Sequence, residues 1–142
     1  MKIAIANDHG GLDYKNKIKE YLIKNNHSVL DMGTNSLESC HYPIFAKKAI
    51  TSMLNNEVER IILVCTTGEG MCMYANRFKG VRCGIPYEDD VCVLMREHNN
   101  ANALAIGQKY MKIDDVYKRI EIFLNTPFLG GRHLSRIAMF DD

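Results

Sequence analysis

Residues 60–71, RIILVCTTGEGM, are the stretch of sequence that decides the fold. Residues 61–64 are consecutive branched apolar residues, a pattern typical of a strand buried on both faces of a parallel sheet. Cys65 ends this run, and a small polar loop with two glycines leads into a helical pattern. The stretch therefore predicts a strand–loop–helix unit in which the loop follows the carboxyl end of a buried strand.

The same alternation continues on both sides of this unit. Apolar runs predict strands at residues 2–6, 28–31, 60–65, 81–85 and 102–106. Amphipathic spacing predicts helices at residues 12–24, 43–54, from the glycine loop to about 78, 88–97 and 114–125, with a final basic segment at 130–139. Because strands that alternate with helices form βαβ units, we expect one α/β domain, residues 1–142, with a five-stranded parallel sheet between two layers of helices.

The composition is that of a globular domain and argues against several classes of protein. Charged residues make up 25% of the chain and the net charge is +1, so no electrostatic footprint for nucleic acid or a membrane surface is present. No stretch approaches the roughly 20 apolar residues that span a bilayer. The short apolar start argues against a signal peptide, and five cysteines without CxxC pairs suit free thiols. We therefore expect a cytoplasmic protein with no nucleic-acid or membrane partner.

Polar residues follow the predicted strands where each of them ends. In open parallel sheets, ligands bind outside the carboxyl ends of the strands. Cys65 lies at such an end and close to a helix N-terminus, whose dipole favours a thiolate, although a cysteine there can also be a small buried apolar residue. The other cysteines lack this combination and are interpreted as structural or incidental: Cys40, Cys72, Cys83 and Cys92.

Several further motifs each allow a functional and a structural interpretation. Gly68-Glu69-Gly70 is neither GxGxxG nor a Walker A loop, but its backbone N–H groups could bind an anion. Asp8 and His9 are either a helix cap with a surface histidine or part of a site. Arg132 and Arg136 are four residues apart, so they either bind a phosphate together or form a solvated basic face. The polar run at residues 97–102 alone indicates only a helix cap.

In their order along the chain, these motifs resemble the type B ribose-5-phosphate isomerase family, which includes the two galactose-6-phosphate isomerase subunits. The resemblance covers essentially the whole chain, at residues 1–5, 8–11, 31–34, 42–43, 65–71, 75–76, 80–82, 97–102, 126–128, 130–133 and 136. It implies a flavodoxin-like, Rossmann-like sheet and an aldose–ketose isomerase that needs no cofactor or metal. It also implies a homodimer, which can pair into a tetramer, with active sites built from both chains.

The resemblance also implies which residues take part in the reaction. Cys65 matches the base that moves a proton between C1 and C2 of the open-chain sugar. The amides of Gly68-Glu69-Gly70 match the group that holds the enediolate oxygen. Thr67 and His98 match residues that assist ring opening, and His98 is expected to serve the cysteine of the neighbouring chain.

A second set of residues matches the binding groups of the family. Asp8 and Asn99 match contacts to sugar hydroxyls, and Tyr42 lines the site. The segment 130–142 is expected to contribute phosphate ligands and dimer contacts. The expected phosphate-binding residues are His9, Arg132, Arg136 and Lys109, where Lys109 replaces an arginine and therefore keeps the charge but loses the planar fork.

Three positions depart from the usual pattern of the family. Thr66 stands where a glycine is usual in the Cys-Gly-Thr-Gly run, which bears on the geometry of the loop. His41 stands where the ribose enzymes usually have aspartate and a galactose-6-phosphate subunit has histidine. Met71 occupies the position at which some relatives carry a glutamate instead of the cysteine, so Cys65 keeps its assignment.

The leading functional hypothesis is interconversion of D-ribose 5-phosphate and D-ribulose 5-phosphate. Isomerisation of a six-carbon aldose phosphate, such as galactose or allose 6-phosphate, is the second hypothesis, and His41 favours it. A non-catalytic module on the same fold that binds a sugar phosphate or a flavin is the third, because a fold alone does not define an activity.

Overall fold

A sheet of five parallel strands forms the centre of the protein, as a computed structural model of residues 1–142 shows. The strands are β1 (Lys2–Asn7), β2 (Ser28–Asp31), β3 (Arg60–Cys65), β4 (Cys83–Gly84) and β5 (Ala103–Gly107). Their order in the sheet is β2-β1-β3-β5-β4, and every pair is parallel. The predicted five-stranded parallel sheet is therefore confirmed.

Six helices connect and cover the strands, and a 3₁₀ turn at His9–Gly11 leads into the first of them. The helices are α1 (Leu12–Lys24), α2 (Tyr42–Leu54), α3 (Glu69–Ala75), α4 (Asp89–Glu97), α5 (Ile113–Asn125) and α6 (Arg132–Ile137). None of them combines the length and the apolar character that crossing a membrane would require.

The two faces of the sheet carry different cores because side chains alternate along each strand. Ile3 and Ile5 of β1 point to the face covered by α1, α4 and α5. Ala4 and Ala6 point to the opposite face, which α2 and α3 cover. Small side chains on that face allow close approach of the two helices, and the sheet is thus the middle layer of three.

β4 is shorter than the predicted strand at residues 81–85, and α3 ends before residue 78. The amide of Asn76, which follows α3, accepts the backbone N–H of Cys83 at 2.8 Å and donates to the Cys83 carbonyl at 2.9 Å. A side chain therefore takes the place that a further strand would have beside β4. The strand pairs only with β5, through Cys83 and Gly84.

The register of the sheet defines two edges that matter for function. Asn7 pairs with Val64, and Cys65 pairs with Gly107, so β1, β3 and β5 end at one level. We call this level, with the residues that follow these strands, the carboxyl edge. The opposite level, where residues 98–102 lead into β5, is called the amino edge, and it includes α6, which packs beside residue 98.

Candidate active site

Cys65 lies at the carboxyl edge with its side chain almost fully covered. Cys65 is 5% exposed, and the backbone N–H of Gly68 donates to its Sγ atom at 3.1 Å. Gly68 has a φ of +83°, a left-handed conformation that glycine adopts without strain. This backbone N–H is the hydrogen-bond partner of the sulfur within the glycine loop.

The backbone N–H groups of the glycine loop are not equivalent. The N–H of Gly68 is directed at the sulfur, and that of Glu69 donates to Thr67 Oγ1 at 3.1 Å. The N–H of Gly70 has no partner within the protein. Of the three amides expected to hold the enediolate oxygen, Gly70 alone is free in this conformation.

Tyr42, the first residue of α2, packs directly against Gly70. A Cβ atom added at Gly70 would lie 2.7 Å from Tyr42 Cζ and 2.9 Å from its hydroxyl oxygen. A side chain at position 70 is therefore excluded by the tyrosine ring. The contact places the ring beside the glycine loop, where the sequence predicted that Tyr42 lines the site.

Asp8 follows β1 and lies next to the end of β3. It is 6% exposed, and its Oδ1 accepts the backbone N–H of Gly10 at 2.9 Å, so it caps the 3₁₀ turn as well. Its other carboxylate oxygen has no protein partner and is free to accept a hydroxyl hydrogen bond. The side chain of Thr66, the departure from the family pattern, fills the space beside Gly10, where an added Cβ would lie 2.2 Å from Thr66 Oγ1.

His9 is oriented by the loop that precedes α2. Its Nδ1 accepts the backbone N–H of Cys40 at 3.2 Å, so the proton of a neutral ring is on Nε2 and is available to a ligand. Lys109 follows β5 at the same edge, and its backbone N–H donates to the Thr66 carbonyl at 3.2 Å. Both of these phosphate-binding candidates therefore lie at the carboxyl edge with Cys65.

The remaining candidates lie at the amino edge. His98 follows α4 and stacks on His133 of α6, with ring centroids 4.2 Å apart and planes 13° from parallel. Arg132 and Arg136 are exposed on α6, and Asn99 follows His98. Burial lowers the pKa of His133, and the nearby His98, Arg132 and Arg136 lower it further, so this ring favours the neutral form.

His133 is a neighbour of the candidate residue His98 that the sequence did not indicate. The sequence offers only its position between two arginines, and nothing there indicates that it packs against a histidine more than thirty residues away. The stack packs one face of the His98 ring against the His133 ring.

A single chain does not bring all the candidates together. β5 separates the two edges, and five strand residues span about 13 Å between their first and last Cα atoms. One chain unites Cys65, Asp8, His9, Tyr42, Thr67, the glycine loop and Lys109 at the carboxyl edge. His98, Asn99, Arg132 and Arg136 lie together at the opposite edge, away from the thiol of their own chain.

Comparison with known proteins gives the class of enzyme. Ribose-5-phosphate isomerase B of Escherichia coli is 34% identical over 136 residues, which cover 96% of this chain and 91% of the relative. The structure of a ribose 5-phosphate isomerase from Thermotoga maritima superimposes with a TM-score of 0.96 at 44% identity, covering 99% of this chain and 97% of that one. The protein is a sugar-phosphate aldose–ketose isomerase.

The family is defined by a match along almost the whole chain. The model described as Ribose/Galactose Isomerase matches residues 3–140, and the chain belongs to this family. A ribose-5-phosphate isomerase B from Mycoplasma genitalium, solved with bound ribulose-5-phosphate, has a TM-score of 0.91 at 36% identity and covers 96% of this chain and 91% of its own. The resemblance found in the sequence is thereby confirmed.

Proposed function

We propose that the protein interconverts D-ribose 5-phosphate and D-ribulose 5-phosphate with Cys65 as the base. The observation that carries this proposal is the Gly68 N–H directed at the Cys65 sulfur, next to the free N–H of Gly70. The names of the relatives from E. coli and T. maritima, and the ribulose-5-phosphate bound to the M. genitalium protein, support the choice of substrate.

The reaction requires one base that serves two neighbouring carbons. The Cys65 thiolate removes the proton from C2 of the open-chain aldose, and the electrons of the C–H bond form the double bond of the enediolate. The charge then rests on O1, where a preorganised N–H donor such as that of Gly70 stabilises it by about 3 kcal/mol. The thiol returns its proton to C1, and the proton of O2 passes to O1.

The binding groups divide into those for hydroxyls and those for phosphate. The unpartnered oxygen of Asp8 accepts from a sugar hydroxyl, with Asn99 as a second contact and Tyr42 as a wall. Thr67 and His98 assist opening of the ring. The phosphate is bound by His9 through Nε2–H together with cationic side chains. Because the phosphate is remote from the reacting carbons, its binding energy orients them. The cationic side chains are Lys109, Arg132 and Arg136.

A second copy of the chain completes each site in this proposal. The carboxyl edge of one chain carries the thiol, and the amino edge of the other supplies His98, Asn99 and the two arginines. Apolar side chains near the amino edge are exposed in the single chain, at 56% for Leu134, 70% for Met139 and 58% for Phe140. Burial of these side chains against a partner would stabilise such a homodimer.

The direct test is a ribulose 5-phosphate assay with the wild type and Cys65→Ala. Because a positioned base contributes about 10²–10⁴-fold, we expect kcat of the variant to fall by at least about 10²-fold. Calorimetry should show that ribose 5-phosphate still binds. Cys92→Ala removes the thiol of a buried residue of α4, away from the proposed site. This variant serves as the control and should retain kcat. Near-full activity of Cys65→Ala would refute the assignment of the base.

A six-carbon aldose phosphate is the second candidate substrate. His41 is exposed directly before Tyr42, at the N-terminus of α2, so it lies beside the wall of the proposed site. We expect kcat/KM to be higher for ribose 5-phosphate than for allose or galactose 6-phosphate. A higher kcat/KM for the six-carbon phosphates in the wild type, which His41→Asp abolishes, would favour the six-carbon substrate.

A further inference from the structure

Two cysteines outside the proposed site lie against each other where α3 packs on the edge strand β4. Cys72 lies in α3, Cys83 begins β4, and both are half-buried free thiols. The Cys72 thiol donates to the Cys83 carbonyl oxygen at 3.4 Å, although the two residues are eleven positions apart in the sequence. The sequence interpretation of both residues as structural or incidental does not account for this contact.

Asn76 contacts both cysteines. Its side-chain amide accepts a hydrogen bond from the N–H of Cys83 and donates one to the Cys83 carbonyl. Its Nδ2 also lies 3.6 Å from Cys72 Sγ. Asn76 is one helical turn after Cys72, so the two side chains lie on the same face of the helix. The backbone of Cys83 is therefore held beside the helix surface that carries Cys72.

The two thiols differ in the way that an attacking and a resolving thiol differ. Interaction with the Cys83 side chain lowers the pKa of Cys72, whereas interaction with Cys72 and burial raise the pKa of Cys83. The pKa of Cys72 therefore lies below that of Cys83, which assigns Cys72 as the attacking thiol in the proposal below. Cys92 contrasts with both, because burial raises the pKa of this core thiol to about 11.

We propose that Cys72 and Cys83 form a reversible dithiol–disulfide pair that exchanges with small-molecule disulfides. The Cys72 thiolate attacks one sulfur of the small disulfide, which forms a mixed disulfide and releases one thiolate. Cys83 then loses its proton to solvent and attacks the Cys72 sulfur, which releases the second thiolate. The protein is oxidised by two electrons, and the small disulfide is reduced to two thiols.

The position of the pair links this modification to the glycine loop. The backbone N–H of Cys72 donates to the Gly68 carbonyl at 3.0 Å, so Cys72 lies one turn from the residue whose N–H contacts the Cys65 sulfur. A bridge would attach the helix that carries Gly70 to the edge of the sheet. The formation of the bridge does not depend on the proposed isomerase reaction.

The test treats the folded full-length protein with excess oxidised glutathione, blocks the remaining thiols and maps the peptides by mass spectrometry. In the wild type we expect an intrachain bridge between the peptides of Cys72 and Cys83, reversed by a thiol reductant. Cys83→Ser should accumulate a glutathione adduct on Cys72, because the resolving thiol is absent. Cys72→Ser should leave Cys83 unmodified, and circular dichroism verifies that both variants are folded.

Three outcomes would overturn the proposal. The wild type could retain a stable glutathione adduct on Cys72, its bridge could join Cys65 or Cys40 instead, or Cys72 and Cys83 could remain reduced while Cys40 reacts. None of these readouts measures isomerase activity, so failure here is distinguishable from failure of the proposed function.

Discussion

The two edges of the sheet differ in how firmly the single chain holds their functional groups. At the carboxyl edge, Cys65 and Asp8 are almost fully buried and bonded to backbone N–H groups. At the amino edge, Arg132 and Arg136 are exposed on a six-residue helix that follows two glycines in the left-handed region. The groups proposed to contact the reacting carbons are thus fixed by the core, whereas the two arginines proposed to bind the phosphate are peripheral.

The difference follows from what holds each group in place. The register of β1, β3 and β5 sets the carboxyl edge, so the loss of a buried polar contact there should lower the stability of the fold. The amino edge depends on α6, which can be altered with little effect on the core. Mutations at the two edges should therefore separate stability from activity.

The largest effect on stability is expected from Lys15→Met at the carboxyl edge. Lys15 is fully buried, and its Nζ lies 3.0 Å from Asp31 Oδ2 and 2.8 Å from Asn35 Oδ1. These two contacts hold the loop after β2. The variant loses the charged hydrogen bonds of Lys15, while Asp31, whose side chain is 16% exposed, keeps Lys19 at 3.2 Å, so urea denaturation should show a loss of about 1.5–3 kcal/mol.

The matched control is Lys17→Met, two residues further along α1. Lys17 pairs with Asp13 at 3.1 Å, but both side chains are about half exposed. Exposed pairs contribute little, and the free energy of unfolding should change by less than about 1 kcal/mol. Equal losses in the two variants would show that the buried pair does not hold this edge.

An intermediate effect, on activity alone, is expected from Arg136→Ala at the amino edge. Loss of a hydrogen bond from a charged group to phosphate costs about 1.5–3 kcal/mol, so KM for ribose 5-phosphate should rise about 10–100-fold. The free energy of unfolding should be unchanged, because Arg136 is exposed and has no ion-pair partner within the chain.

Arg136→Lys and Lys24→Ala are the controls for this prediction. The lysine keeps the charge without the planar fork, so KM should recover in part. Lys24→Ala removes an exposed charge at the end of α1 and should leave KM as in the wild type. A KM that is unchanged in Arg136→Ala would exclude this arginine from the phosphate site.

The smallest effect is a change in pH dependence in His133→Phe, which keeps an aromatic ring against His98. Because the pKa of His133 is lowered in the fold, the unfolded chain binds the proton more readily. The stability of the wild type should therefore fall as pH decreases below the ordinary histidine value of 6.5, and the fall should be smaller in the variant. Denaturation midpoints measured across this range would contradict the prediction if the two proteins gave parallel curves.

The sequence predicted most of the fold because the elements have strong local patterns. The bounds of α1, β2 and β3 agree with the predicted ranges 12–24, 28–31 and 60–65. The short β4 was predicted too long, since its extent depends on the side chain of Asn76, which follows α3, rather than on its own apolar residues. Tertiary contacts of this kind leave no periodic signal.

The candidate site was predictable to a similar degree. The position of Cys65 follows from the end of a buried strand, but which loop amides are free depends on the conformation of Gly68. The position of His98 before β5 indicates the amino edge, whereas its stack on His133 arises only when α6 packs there. The residue types are therefore visible in the sequence, and their partners are not.

The central claim is that each site combines the carboxyl edge of one chain with the amino edge of another, and mixing two inactive variants tests it most directly. Cys65→Ala and His98→Asn each damage one edge. When subunits exchange randomly, half of the dimers are mixed and each has one intact site, so activity should return to about a quarter of the wild-type value. If the mixture shows only the residual activities of its two components, sites shared between chains are contradicted.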